Sequence, residues 1–140
     1  MQKLACVLLV DDDSTTNYLN QLLLKRLNVA EQILVAINGK EALDLLHVHC
    51  QTPFADCPVL ILLDVKMPVM DGFAFLEAYE QLPAAQRQAT TIVMLTTSLH
   101  PRDVERVEHL NIGGFFNKPL NREKVDEILK KHFGRQLPAE

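Results

Sequence analysis

The sequence has few of the residues that mark several classes of protein. It contains no tryptophan, five glycines and three cysteines among 140 residues. So few glycines argue against a low-complexity or fibrous chain. An odd cysteine count in a chain long enough to form a hydrophobic core argues against a disulfide framework. Cys6, Cys50 and Cys57 are therefore expected to be reduced thiols, although Cys50 and Cys57 could pair in an oxidising environment.

Charge and hydrophobic patterning exclude further classes. The net charge is −4, and lysine and arginine are scattered along the chain, which argues against nucleic acid as a partner. The apolar run at residues 4–10 is far shorter than the roughly 20 residues of a membrane span. Three aspartates follow it, where a signal peptide would have small residues and a cleavage site. We therefore expect a soluble, cytoplasmic protein that binds neither nucleic acid nor membrane.

What the sequence contains is a regular alternation of short apolar runs and segments of helical periodicity. The apolar runs lack polar alternation, which is typical of strands buried on both faces. Strands are predicted at residues 4–10, 32–36, 59–63, 91–95 and, with a weaker pattern, 113–116. A helical segment follows each of them. This order predicts an α/β fold with a parallel sheet, right-handed crossovers and helices on both faces.

The helical periodicity ends near Phe133, and Gly134 and Pro138 beyond it are typical of a chain that leaves regular structure. A length of 140 residues suits one compact domain. We therefore expect one domain at residues 3–133, a short C-terminal tail at residues 134–140, and no output domain.

Polar side chains stand where four of the predicted strands end. Asp11, Asp12 and Asp13 follow the first strand, Asp64 the third, Thr96 the fourth, and Lys118 comes just after the fifth. In an open α/β sheet, the carboxyl ends of the strands meet at one edge, where ligands bind. Each residue has an ordinary explanation by itself, since acids cap helices and loop lysines are usually solvated. Their combination at four strand ends favours a functional site.

The chemistry of this set suits phosphoryl transfer. Clustered carboxylates repel one another and must bind a cation or hold a proton. Oxygen ligands favour Mg²⁺, which two carboxylates can bind together with waters and a phosphoryl oxygen. A carboxylate can also act as a nucleophile and form an aspartyl phosphate. The three equatorial oxygens of the transferred group can then be held by a metal ion, an ammonium, a hydroxyl and backbone N–H groups.

Four segments resemble the response-regulator receiver domains of two-component signalling: residues 8–12, 62–72, 94–96 and 117–119. The resemblance extends over about residues 3–133. It implies a doubly wound (βα)5 fold of the flavodoxin-like, CheY-like type, with five parallel strands in the order 2-1-3-4-5.

The resemblance implies that Asp64 is the phosphoacceptor and that the cofactor is Mg²⁺. Asp12 and Asp64 would bind the ion directly, and the backbone carbonyl of Lys66 would supply a third protein ligand. Asp11 would act mainly through water.

Further residues match positions that hold or sense the phosphoryl group in this family. Lys118 would pair with the phosphoryl group and Thr96 would move to bond it. Phe115 stands at the position of the aromatic switch residue that follows Thr96 inward, and the bond before Pro119 would be cis.

The implied function is a stand-alone receiver that accepts a phosphoryl group from a histidine kinase or a histidine phosphotransfer protein. Phosphorylation would alter the surface of the fourth helix, at about residues 102–110, the fifth strand and the fifth helix, for relay or for binding a downstream protein. The protein would be a monomer or a weak phosphorylation-dependent dimer. It would not be an enzyme, apart from catalysing its own phosphotransfer and a slow autodephosphorylation. The autodephosphorylation would be slow because Lys66, which with Ser98 flanks the path of the attacking water, cannot accept a hydrogen bond from that water.

Two alternatives compete with this interpretation. Residues 8–15 also fit the Asp-x-Asp-x-Thr motif of haloacid-dehalogenase-like phosphatases, with Asp11 as nucleophile and Asp13 as acid/base. Such short motifs often match by chance, and this one leaves residues 64–72 without a function and lacks the acidic metal motif after the lysine. The second alternative is an interaction module that works without phosphate, against which the retention of every site residue argues.

Overall fold

The computed structural model describes residues 2–50, 57–97, 100–107 and 112–138. Within these ranges the chain forms five strands, β1 (Leu4–Val10), β2 (Ala30–Ala36), β3 (Leu60–Asp64), β4 (Thr91–Thr96) and β5 (Gly114–Asn117). It also forms six helices, α1 (Ser14–Arg26), α2 (Gly39–His49), α3 (Gly72–Tyr79), α4 (Ala84–Gln88), α5 (Pro101–Val107) and α6 (Arg122–Phe133). Within the described ranges, none of these helices combines the length and the hydropathy needed to cross a bilayer.

The five strands form one parallel sheet in the order β2-β1-β3-β4-β5, so the predicted fold and strand order are confirmed. The register aligns Val10 of β1 with Leu63 of β3. Asp11 and Asp64, one residue further along each strand, therefore reach the same edge of the sheet. Thr96 at the end of β4 is paired with Asn117 of β5, which places Lys118 at that edge as well.

Two hydrophobic layers cover the sheet, and alternate residues of each strand contribute to opposite layers. In β1, Leu8 and Val10 pack in the layer beneath α2, α3 and α5, whereas Val7 and Leu9 pack in the layer beneath α1 and α6. Both sets are almost fully buried. This explains why the strands read as continuous apolar runs, since both faces of the sheet need apolar side chains.

Helix α4 was not predicted. It is a short helix after Pro83 with the sequence AAQRQ, which has no apolar periodicity for a pattern to detect. The helix predicted at residues 102–110 begins at Pro101 and is described as far as Val107, whereas Leu110 lies outside the described residues.

Cys50 and Cys57 form a disulfide, so the expectation of three reduced thiols is wrong for this pair. Cys50 ends α2 and Cys57 precedes β3, and both are buried in the layer beneath α2 and α3. The end of α2 and the residues before β3 come together so that the two Cα atoms lie 4.3 Å apart, close enough for a bridge. This proximity is a product of tertiary packing, and the sequence indicated only that these two cysteines could pair. Cys6 is buried in β1 and is not part of a disulfide.

The described residues after α6 fold back onto that helix. Gly134 takes a left-handed conformation with φ of 61°, which a glycine adopts without steric cost. Leu137 then packs against the layer beneath α1 and α6, and its N–H donates to Asp126 Oδ1 at 3.1 Å. This hydrogen bond, with the neighbouring ammonium of Lys130, lowers the pKa of Asp126.

Candidate functional site

Three carboxylates meet at the carboxyl edge of the sheet. Asp11 and Asp12 follow β1 and Asp64 ends β3, and one carboxylate oxygen from each lies within 4.8 Å of the other two. Asp11 and Asp64 are buried, with 5% and 8% of their surface exposed, whereas Asp12 is open to solvent. Such a group of like charges is costly unless a cation compensates it.

Asp11 is held by donors on all sides. Its Oδ1 accepts the N–H of Asp13 at 2.9 Å, and its Oδ2 accepts Lys118 Nζ at 2.6 Å. Its backbone carbonyl accepts the Nδ2 of Asn17 at 2.8 Å. The orientation of Asp11 is therefore fixed by the first turn of α1 and by the loop after β5.

Asp64 has a less favourable environment for its charge. Burial raises the pKa of its carboxyl group, and the negative charge of Asp11 raises it further, while Lys118 acts in the opposite direction. Its Oδ1 accepts the N–H of Val65 at 2.9 Å and lies 3.2 Å from Lys118 Nζ. The carboxylate of Asp64 is thus shielded from water, and its charged form depends on nearby cations for stabilisation.

The ammonium group of Lys118 is a positive charge that lies against both Asp11 and Asp64. Burial alone would lower its pKa, but its hydrogen bond to Asp11 and the charges of Asp11 and Asp64 outweigh that effect and raise the pKa. Its backbone N–H donates to the carbonyl of Thr96 at 2.7 Å, which ties the loop to β4. The peptide bond to Pro119 is cis, as expected.

All the predicted polar residues line one cavity. Its walls are formed by eight residues at this edge of the sheet, Asp11, Asp12, Asp13, Asp64, Lys66, Thr96, Thr97 and Lys118. Thr96 is buried at the end of β4, and the side chain of Lys66 is exposed. Ser98 lies outside the described residues.

Phe115 lies in β5, two strands from Asp64, with β4 between them. It is half-buried and packs against the layer that includes Val107 of α5, whereas its neighbour Phe116 packs against the opposite layer. A movement of Phe115 would therefore change the packing beneath α5.

The loop after β3 is shaped by Gly72. The N–H of this glycine donates to the carbonyl of Val65 at 2.8 Å, so that the loop closes tightly behind Asp64. A Cβ at Gly72 would lie 2.4 Å from the carbonyl oxygen of Asp64. Any larger residue would displace Asp64, which explains a glycine after Asp71.

The donor set fits Mg²⁺. Every candidate ligand is an oxygen, and the carboxylates of Asp11, Asp12 and Asp64 converge with one of them exposed to solvent. A hard cation that keeps several waters and takes one or two carboxylates suits this arrangement.

Sequence reasoning missed two residues that support the site. Asn17 is a buried polar residue on the inner face of α1, and a polar side chain on that face was the available signal. Lys124 donates from Nζ to the carbonyls of Asn117 and Pro119, at 2.6 and 2.8 Å, and so fastens the two ends of the segment that carries Lys118. A surface lysine in a helix gives no sequence signal for such a role.

Comparison with known proteins identifies the family. The family model of the response regulator receiver domain matches residues 7–130, so the chain belongs to the response regulator receiver family of two-component systems. Such domains are signalling domains, which accept phosphoryl groups from histidine kinases and relay to downstream targets.

Individual relatives agree with this assignment. The response regulator Rcp1 of Synechocystis is 30% identical over 89% of this chain and 83% of its own. The structure of the chemotaxis protein CheY4 of Vibrio cholerae matches with a TM-score of 0.74 and 29% identity, over 91% of this chain and 97% of that one. A two-component response regulator from Cytophaga hutchinsonii has the same fold, with a TM-score of 0.86 at 24% identity, over 96% of this chain and 100% of its own.

Proposed function

We propose that this protein, as a receiver at residues 3–133, accepts a phosphoryl group on Asp64 in a Mg²⁺-dependent reaction and changes its surface in response. The observation that carries the proposal is the position of Asp64. It is a buried carboxylate at the end of a central strand, beside two further carboxylates and 3.2 Å from the ammonium of Lys118.

The transfer forms a bond between an Asp64 carboxylate oxygen and phosphorus, while the bond from phosphorus to the donor histidine nitrogen breaks. The charge on the three equatorial oxygens must be held by donors in place. Lys118 Nζ and the Val65 N–H already lie against Asp64 Oδ1, and the Thr96 hydroxyl belongs to the same cavity.

Asp12, Asp64 and the Lys66 carbonyl would hold Mg²⁺ directly, with Asp11 acting through water. When bound, the ion supplies positive charge that offsets the charge of the phosphoryl oxygens. The convergence of the three carboxylates supports this assignment.

The phosphoryl donor is a histidine kinase or a histidine phosphotransfer protein. Helix α1 exposes an apolar surface, Tyr18, Leu19 and Leu22, each of them about half exposed. A cavity beside it is lined by Leu19 and Lys118, so it borders on the site. An amphipathic helix that carries the donor histidine would bury these apolar side chains and bring its imidazole towards Asp64.

The phosphatase alternative finds less support. Asp13, its acid/base, accepts the N–H groups of Thr15 and Thr16 as the N-cap of α1. Asp11, its nucleophile, is occupied by Lys118 and by the Asp13 N–H. Incubation with acetyl phosphate and Mg²⁺ separates the functions: a receiver forms a transient covalent adduct, a phosphatase releases phosphate continuously, and a phosphate-independent module does neither.

Thr96→Ala should accept phosphate but fail to switch. The phosphoryl group shifts the conformational equilibrium only through contacts that differ between the two states, and the bond to the Thr96 hydroxyl is such a contact. We expect amide NMR shifts upon phosphorylation near Phe115 and in α5 of the wild type, and their loss in Thr96→Ala. Thr97→Ala, the same change at the next residue, is the control and should keep those shifts. Wild-type shifts at Phe115 in the Thr96 variant would contradict the role of Thr96.

Autodephosphorylation should be slow, and Lys66→Asn should accelerate it. Water must attack the phosphorus opposite the Asp64 oxygen, and a lysine at position 66 accepts no hydrogen bond from it. An asparagine could accept one, and a bond of about 1 kcal/mol made in the transition state corresponds to roughly fivefold in rate. The measurement is the first-order decay of the phosphoprotein in Mg²⁺, with Lys40→Asn, an exposed lysine of α2, as control. Equal or slower decay in Lys66→Asn would refute the role of Lys66.

A further inference from the structure

We propose that Asn17 is a positioning residue for the magnesium-binding loop, acting through the backbone of Asp11 on the direction of the Asp12 carboxylate. The inference rests on the proposed function, because that function makes Asp12 a direct magnesium ligand. It concerns a side chain outside the set that touches the metal or the phosphoryl group.

Asn17 is unusual in being almost completely buried. It lies in the first turns of α1 with 3% of its surface exposed, although asparagine is ordinarily a surface residue. Its Nδ2 donates to the carbonyl of Asp11 at 2.8 Å. A carbonyl can only accept, so the atom that faces it must be the NH₂ group, and the orientation of the amide is determined.

That orientation leaves the other half of the amide without a partner. Among the residues that the structure describes, no donor lies within hydrogen-bond reach of the buried Oδ1 of Asn17. A buried polar atom with no partner costs free energy, and a leucine here would avoid that cost and bury more apolar surface. Leucine would in turn leave the Asp11 carbonyl without this donor, so the two effects on stability oppose each other, and the bond to Asp11 is what asparagine provides at this position.

The bond acts at the point where the chain leaves the sheet. The N–H of Asp11 makes the last bond of β1 to β2, donating to the carbonyl of Ala36 at 3.1 Å. Beyond it the sheet no longer directs the backbone, and the Asp11 carbonyl has Asn17 as its donor.

A peptide group is planar, so holding the carbonyl of Asp11 also fixes the backbone nitrogen and Cα of Asp12. Asp12 itself is exposed to solvent. The Asn17 amide thus sets the direction from which the Asp12 carboxylate approaches the ion. Outer partners of metal ligands typically change metal affinity by about ten- to a hundredfold when removed.

The test compares Asn17→Leu with the wild type. Leucine has the same number of side-chain heavy atoms and the same branch point, but no donor. The chain has no tryptophan, so Mg²⁺ binding is followed by titration of the amide NMR signals, and the thermal unfolding of the metal-free protein is measured in parallel. Asn20→Leu, the same substitution one turn along α1 at a half-buried position, is the matched control. Asn17→Ala is a second variant that introduces no added bulk.

We expect both Asn17 variants to bind Mg²⁺ about tenfold more weakly, with Tm within a few degrees of the wild type and shift changes confined to residues 11–13 and their neighbours. Asn20→Leu should bind as the wild type does. Wild-type affinity in either folded Asn17 variant would overturn this inference alone. Weakened binding with shift changes throughout the sheet would also overturn it, because it would assign Asn17 a general structural role. Failure of the wild type to bind Mg²⁺ would overturn the proposed function itself.

Discussion

Asp64→Asn will abolish phosphorylation by acetyl phosphate and leave the fold intact. The amide has the shape of the carboxylate but not its nucleophilic oxygen, so no acyl phosphate can form. The variant should be at least as stable as the wild type at neutral pH. Burial and Asp11 raise the pKa of Asp64, which means that the fold disfavours its charged form, and a neutral side chain removes that cost.

The matched control is Asp71→Asn, the same change in the same loop. Asp71 caps α3 by accepting the N–H of Ala74, and asparagine caps a helix equally well. Intact-mass measurement should show the adduct in the wild type and in Asp71→Asn, and unmodified protein in Asp64→Asn. An adduct on Asp64→Asn at the wild-type rate would mean that another residue accepts the phosphoryl group.

Asp12→Asn should remove both Mg²⁺ binding and phosphorylation. The substitution replaces one of two direct carboxylate ligands by a neutral amide, and the ion, which keeps several of its waters, has few other protein ligands. We expect affinity to fall by about a hundredfold or more, since the loss of even outer partners costs at least tenfold. Phosphorylation should fall with it, because the charge of the phosphoryl oxygens loses its largest compensation.

Asp13→Asn serves as the control for this variant. It removes the same charge from the adjacent residue, which caps α1 rather than belonging to the three converging carboxylates. Amide NMR titration and mass measurement should both give near wild-type results for Asp13→Asn. Full labelling of Asp12→Asn, or of the wild type in an excess of chelator, would contradict a metal-dependent transfer.

The sheet and the site were predictable because each depends on local sequence and on one rule of topology. The continuous apolar runs identify buried strands, and parallel strands bring residues such as Asp11 and Asp64 to one edge whatever the details of packing. The roles proposed for Asp12, Lys66 and Phe115 came from the resemblance to a known family, since position in the chain alone does not distinguish a metal ligand from a helix cap.

Features that depend on tertiary packing were not predictable. The sequence allowed Cys50 and Cys57 to pair, but whether they do depends on how the end of α2 lies relative to the residues before β3. The burial of Leu137 needs the turn at Gly134 and the surface of α6 to be in place. Asn17 and Lys124 donate to backbone carbonyls, and although a polar residue on the inner face of α1 hints at Asn17, the sequence does not reveal which carbonyl either side chain contacts.

Phosphorylation of Asp64 is tested most directly by locating the phosphoryl group in the wild-type protein. The protein is treated with acetyl phosphate and Mg²⁺, the acyl phosphate is reduced with borohydride, and the peptides are sequenced by mass spectrometry. Borohydride reduces an aspartyl phosphate to homoserine, which marks the modified residue permanently. If Asp64 is the phosphoacceptor, homoserine appears at position 64 and aspartate is retained at positions 11, 12 and 13. Homoserine at position 11, the nucleophile of the phosphatase alternative, with aspartate retained at 64 would contradict that assignment.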